Sequence, residues 1–115
     1  MGGLRRYKMM VFSNPQPGHE EEYNDWYQDT HLADLVALDG IYSARRYRFA
    51  RNLKGDDAHA YMAIYEIETD DIDAVLGQLG VAAGDGRIRM SGAIDTAGSL
   101  ALVYEEFGPP VDSGS

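Results

Sequence analysis

Residues 17–40 read PGHEEEYNDWYQDTHLADLVALDG, a stretch of helical composition whose apolar residues do not keep one phase. At 3.6 residues per turn, Tyr23, Tyr27 and Leu38 share an arc with Thr30, His31 and Asp34, and Trp26 lies at its margin. Leu32 and Val36 fall on the opposite side, where a single straight helix leaves them in water. The conflict predicts a break or register change near Asp29 to His31, with Asp29 or Thr30 capping a second short helix. His31 then sits at a helix start, within the cluster of Trp26, Tyr27 and Asp34, as a side chain whose unperturbed titration lies near neutrality.

The flanking segments are shorter and strand-like. Residues 6–12, RYKMMVF, form an apolar run that SNPQPG stops, because two prolines and a glycine cannot continue a ladder. Acids in the turn at 19–22 suit a helix N-terminus, and Gly40 suits a left-handed cap. Residues 41–50, IYSARRYRFA, alternate: Ile41, Ser43, Arg45, Tyr47 and Phe49 on one face, Tyr42, Ala44, Arg46 and Arg48 on the other. Beyond the polar loop RNLKGDDAH, residues 60–67 predict the second strand of a long-connected hairpin, with Tyr61, Ala63, Tyr65 and Ile67 on one face and Ala60, Met62 and Ile64 on the other. Asp70 or Asp71 caps a second helix, with Ile72, Val75, Leu76 and Leu79 at helical spacing. Glycine recurs from 80 to 98, where no element can be assigned; residues 99–107, SLALVYEEF, are the last strand.

The order β-α-β-β-α-β is the split arrangement of a ferredoxin-like sandwich, an α+β fold with a four-stranded antiparallel sheet and two helices on one face. The 115 residues suit a single domain with its core at about 6–107 and a flexible tail at 108–115. The third and fourth strands are apolar on both faces, and two helices cover only one. The economical cover for the second is another copy of the chain, so a homodimer of facing sheets is expected.

A formal charge of -9 argues against nucleic acid or an anionic membrane surface as partner. No window holds the roughly 18 apolar residues of a membrane span, and the apolar run near the N-terminus is too short for a secretory signal, so the cytoplasm is the expected compartment. The absence of cysteine removes disulfides, thiolate nucleophiles and cysteine metal sites. Arg5, Arg6 and Lys8 lie at the start of the chain, while Arg45, Arg46, Arg48, Arg51 and Lys54 crowd one short stretch. That cluster either holds an anionic ligand or pairs with the acids of the first helix.

The run EEYNDWYQDTHLADLVALDGI (21–41), followed by the strand with Ser43, Ala44, Arg45 and Arg46, resembles the dimeric α/β-barrel superfamily, in particular its EthD-like branch. The shared pattern is an aromatic pair, a histidine four residues after its second member, then an apolar segment, a glycine and the strand that opens the hairpin. The resemblance implies the ferredoxin-like fold, a dimer, and a pocket in each protomer between sheet and helices. It does not imply one reaction, because the superfamily includes muconolactone-type isomerases, polyketide cyclases and dehydratases, cofactor-free monooxygenases, haem enzymes and proteins without assigned activity.

His31 leads the candidates for chemistry. A neutral imidazole can take a proton from carbon or hydroxyl and return it, a step worth about 10²- to 10⁴-fold. Asp34 is spaced to fix its tautomer and Tyr27 to donate to a substrate oxygen; in the plainer reading, His31 and Asp34 only tie the helix break. Trp26, Tyr23, Tyr47 and Tyr65 suit either a flat ligand pocket or core packing. Arg45 is either a carboxylate or enolate clamp or an interface ion pair. His19 and His59 fall in loop or first-turn positions, where solvation is expected. With no HExxH, dinucleotide fingerprint or P-loop, no metal site or cofactor is expected; a haem held through His31 is within the superfamily's range, and nothing else in the chain asks for one. Three readings follow: a cofactor-independent acid–base enzyme that isomerises, dehydrates or cyclises a cyclic or aromatic metabolite; a cofactor-free monooxygenase of an aromatic or polyketide substrate; and a non-catalytic binding or accessory protein for a hydrophobic metabolite.

Overall fold

The structure, a computed structural model, describes residues 3–114. In chain order it contains β1 (Arg5–Ser13), α1 (Glu20–Trp26), a π-helical turn (Tyr27–His31), α2 (Leu32–Val36), β2 (Ile41–Arg48), β3 (Tyr61–Thr69), α3 (Ile72–Asp85) and β4 (Leu100–Glu105). The strands form one sheet in the order β2-β3-β1-β4 with every neighbouring pair antiparallel. This is the ferredoxin-like βαββαβ arrangement that the segment order predicts.

The period of two divides the sheet cleanly. Tyr7, Met9, Val11 and Ser13 of β1 stand opposite Ile67, Tyr65, Ala63 and Tyr61 of β3 on the helix-covered face. There Met9, Ala63, Tyr65 and Ile67 are buried against Tyr23, Tyr27, Leu32, Leu35, Leu38, Val75 and Ala82. Each large apolar side chain so buried contributes about 1.5–3 kcal/mol.

The first helical stretch resolves its phase conflict without a break. Tyr27, His31 and Leu32 all keep right-handed helical angles, and no side chain caps the junction. The Leu32 N–H instead donates to the Tyr27 carbonyl five residues back, the hydrogen bond of a π turn. One extra residue in that turn brings Leu32 round to the face of Tyr27, so Tyr23, Tyr27, Leu32 and Leu35 all reach the core. The expected register change is present. The expected caps at Asp29 and Thr30 are not, because a turn that keeps its backbone bonded leaves no orphan N–H groups to satisfy.

A bulge between Ile41 and Ser43 corrects the alternation expected for the next strand. Ile41 pairs with Ile67 on the helix face, and beyond the bulge Ala44 and Arg46 pair with Tyr65 and Ala63 on that same face. Ser43, Arg45 and Tyr47 therefore face the other way.

Asp71 caps α3, its Oδ1 accepting from the Ala74 N–H at 3.1 Å. The helix runs through Gly77, Gly80 and Gly84 and stops at Gly86, whose φ of +86° is a left-handed cap. The first part of the glycine-rich segment is thus helical. Its remainder ties back to the β1–α1 connection, with Gln16 N–H to Ala93 O at 2.6 Å and Asp95 N–H to Asn14 O at 3.0 Å, and it buries Ile88, Ala93 and Ile94. Among the described residues no helix is long and apolar enough to cross a membrane.

The uncovered face of the sheet is zoned. One end is apolar, with Met10, Phe12, Met62, Ile64, Leu100 and Leu102 in adjacent register. The other carries the ion pairs Lys8–Glu66 at 2.7 Å and Arg6–Glu68 at 3.0 Å.

Candidate functional site

The π turn sets His31 beside two aromatic rings. The Trp26 indole stacks on the imidazole with centroids 4.6 Å apart, and Tyr27 meets it edge-on at 5.0 Å. Imidazole Nδ1 is buried and has no hydrogen-bond partner among the described residues. Burial strips the water that would solvate an imidazolium and pushes His31 down to about 4, against a smaller upward pull from Asp34. At neutral pH the ring is uncharged.

Asp34 does not hydrogen-bond to His31. Its Oδ2 accepts from the Arg89 N–H and Nε, both at 3.0 Å, and its Oδ1 from Nη2 at 2.7 Å. The guanidinium fork with the backbone N–H is a stronger partner than a neutral imidazole, and it holds the Asp34 carboxyl below the ordinary carboxylate range. Trp26 Nε1–H donates to the Arg89 carbonyl at 2.9 Å. Arg89, from a segment in which the sequence showed no element, thus ties down both neighbours of His31.

The tyrosines form a second cluster behind this one. Tyr23 and Ser13 share a buried hydroxyl hydrogen bond of 2.5 Å, and the Tyr65 hydroxyl donates to Tyr27 at 3.5 Å. Burial pushes the phenols of Tyr23, Tyr27 and Tyr65 up. The Arg46 guanidinium lies over three rings, 4.7 Å from the Tyr27 centroid, 5.2 Å from Tyr61 and 5.4 Å from Tyr23, while its Nη2 donates to Asn24 Oδ1 at 2.7 Å. Arg46, not Arg45, is therefore the arginine of the aromatic cluster. Arg45 and Tyr47 lie on the uncovered face, apart from Trp26, Tyr23, Tyr27, His31, Asp34 and Tyr65.

Tyr23, Tyr27 and Tyr65 fill the layer between sheet and helices, where the resemblance implies a pocket. A cavity of about 600 Å³ opens instead at the apolar end of the other face, walled by Phe12, Tyr47, Phe49, Met62, Leu100 and Leu102, with Asn14, Asp57 and His59 among its polar members. That volume is in the range of small-molecule sites, about 300–1,000 Å³. His59 lies in the loop as expected, partly buried, with its ring 6.0 Å from Phe12 and Nε2 2.7 Å from the Gly98 carbonyl. A carbonyl can only accept, so Nε2 carries a proton. Sequence reasoning missed this site because the hairpin connection folds back onto the approach to β4, a contact between residues 39 apart that no local pattern signals.

The fold recurs among solved structures. An EthD (ethyl tert-butyl ether D) family protein from Bacillus halodurans aligns with a TM-score of 0.57 and 18% identity, over 89% of this chain and 99% of that one. The solution structure of a hypothetical Arabidopsis thaliana protein aligns with a TM-score of 0.56 and 13% identity, over 96% of each chain. The resemblance drawn on residues 21–41 thus has its counterpart in three dimensions, as a likeness of fold. No family model and no curated protein sequence matches the chain.

Proposed function

We propose that this protein binds a small apolar molecule in the cavity at the end of the uncovered sheet face, in the cytoplasm, with a second copy of the chain closing that face. The observation that carries the reading is the cavity, about 600 Å³ with six apolar walls and few polar groups. Its walls are costly to leave in water: Tyr47, Phe49 and Leu100 are 43%, 46% and 46% exposed. Titration with 2-naphthol, followed by its fluorescence, tests the reading. Wild type binds, and Leu102→Trp, which fills the cavity, does not; equal binding by both overturns it. Light scattering tests the pairing, which expects twice the chain mass.

The unpartnered Nδ1 of His31 favours a second reading, acid–base chemistry on a cyclic or aromatic metabolite. The neutral imidazole takes a proton at Nδ1, and its conjugate form, disfavoured by burial, gives the proton back, with Trp26 and Tyr27 walling the ring. Incubation of metabolites with wild type and His31→Ala, followed by mass analysis, separates the two. A compound altered by wild type alone supports catalysis at His31. Compounds returned unaltered by both proteins exclude it and leave binding.

A further inference from the structure

We propose that the ligand is an organic anion, its apolar body in the cavity and its carboxylate on Arg46 and Arg48 at the adjoining rim; this rests on the binding reading above. The observation behind it is a division among the ten basic residues of the chain. Arg5, Arg6, Lys8, Arg87 and Arg89, all outside residues 45–54, are each in an ion pair of 2.7–3.2 Å. The five within that stretch, Arg45, Arg46, Arg48, Arg51 and Lys54, make none among the described residues, although the chain has 19 acids. Pairing with the first helix is not how their charge is met: Glu20 accepts from the Tyr61 hydroxyl, and Glu22 lies against His19.

Arg46 is the most constrained of the five. Three tyrosine faces and Asn24 hold its guanidinium in place, and none of them neutralises it. A cation fixed in position by uncharged groups is prepared to receive a planar carboxylate. The cleft in front of it, about 250 Å³ and lined by Asn24, Arg46, Tyr47, Arg48 and Tyr61, shares Tyr47, Arg48 and Tyr61 with the apolar cavity. The two openings therefore border each other at Tyr47, Arg48 and Tyr61, with Arg46 on the helix-covered side of β2 and the apolar cavity on the other. One carboxylate, Asp57, lines the cavity together with Arg48.

Calorimetric titration of the full chain with 2-naphthoate and its neutral isostere 2-naphthamide tests the assignment. Wild type is expected to hold the naphthoate about tenfold more tightly, a preference that shrinks with added salt. Arg48→Gln, at an exposed position, loses most of that preference and keeps its affinity for the amide; Arg46→Gln does the same where it folds. Equal affinity of wild type for the two compounds overturns the anion assignment and leaves the cavity reading standing. A preference that Arg48→Gln retains in full overturns the placement of the carboxylate. Binding of neither compound overturns both readings.

Discussion

Asp34 and Arg89 stand 55 residues apart and share three hydrogen bonds, which fasten the end of the first helical stretch to the segment that follows α3. The Asp34 side chain is 9% exposed and that of Arg89 63%, so the pair is half sheltered from water.

Asp34→Ala is expected to cost about 1–3 kcal/mol, because it removes a charged acceptor and strands the Arg89 N–H; Arg89→Ala costs less, since the exposed partner is cheaper to lose. Urea unfolding measures both. Because Arg89 lowers the Asp34 carboxyl, the stabilisation is whole above the ordinary carboxylate value of about 4 and is lost as pH falls through the lower folded one. Asp34→Asn should lack that part of the acid transition.

His31 titrates in the opposite chemical sense with the same direction in pH. Its folded value of about 4 lies below the ordinary 6.5, so the folded state resists protonation. The contribution is complete above pH 6.5 and erodes as pH falls toward 4, by an amount of the order of 3 kcal/mol at most. His31→Phe keeps the stack on Trp26 and removes the titration. Unfolding free energies at pH 7.5 and 4.5 should differ less in the variant than in wild type; parallel losses in the two proteins would count against the buried neutral ring.

Ser13 and Tyr23 are 1% and 0% exposed and joined by one hydrogen bond. Tyr23→Phe leaves the serine hydroxyl buried without its partner, at a cost of about 1–3 kcal/mol, and Ser13→Ala does the same to the phenol. The double variant should cost less than the two singles added, by about 0.5 kcal/mol or more. Strict additivity in a thermodynamic cycle would show that the bond contributes nothing.

The π turn holds one residue more than an α-helical turn, and deletion of the exposed Asp29 removes it. The two halves of the helix then rotate by about 100° relative to one another, which takes either Tyr23 and Tyr27 or Leu32 and Leu35 out of the core. The loss of two large buried side chains, about 3–6 kcal/mol, rivals the stability of an ordinary domain. Asp29→Ala keeps the chain length and should stay within about 0.5 kcal/mol of wild type. Thermal melts followed by circular dichroism compare the two.

What could be read from the sequence was what short periods encode. Alternation marked the strands and the face of Tyr61, Ala63, Tyr65 and Ile67, and the phase of Tyr27 against Leu32 marked the register change. Asp71 announced its cap and adopts it, whereas Gly40 takes its positive φ in the turn before β2, because α2 already ends at Val36 with Ala37 as its cap. Contacts between distant segments were not legible. Arg89 closes on Asp34, and Gly98 on His59, across separations that leave no trace in neighbouring residues. Nor was the extent of α3, because Gly80 and Gly84 read locally as breakers while the helix continues through them to Gly86. The bulge hid the face of Ile41 for a related reason: one inserted residue inverts the parity on which alternation depends.

The sheet order leaves β2 and β4 as the outer strands, and the two edges are defended unequally. Arg45, Arg46 and Arg48 line β2, and three like charges in four residues repel any incoming strand that carries the same sequence. β4, LALVYE, ends in a single glutamate and offers an otherwise uncharged ladder. Of the two edges, β4 is therefore the one open to strand addition, and the arginine-lined margin of β2 is the guarded one.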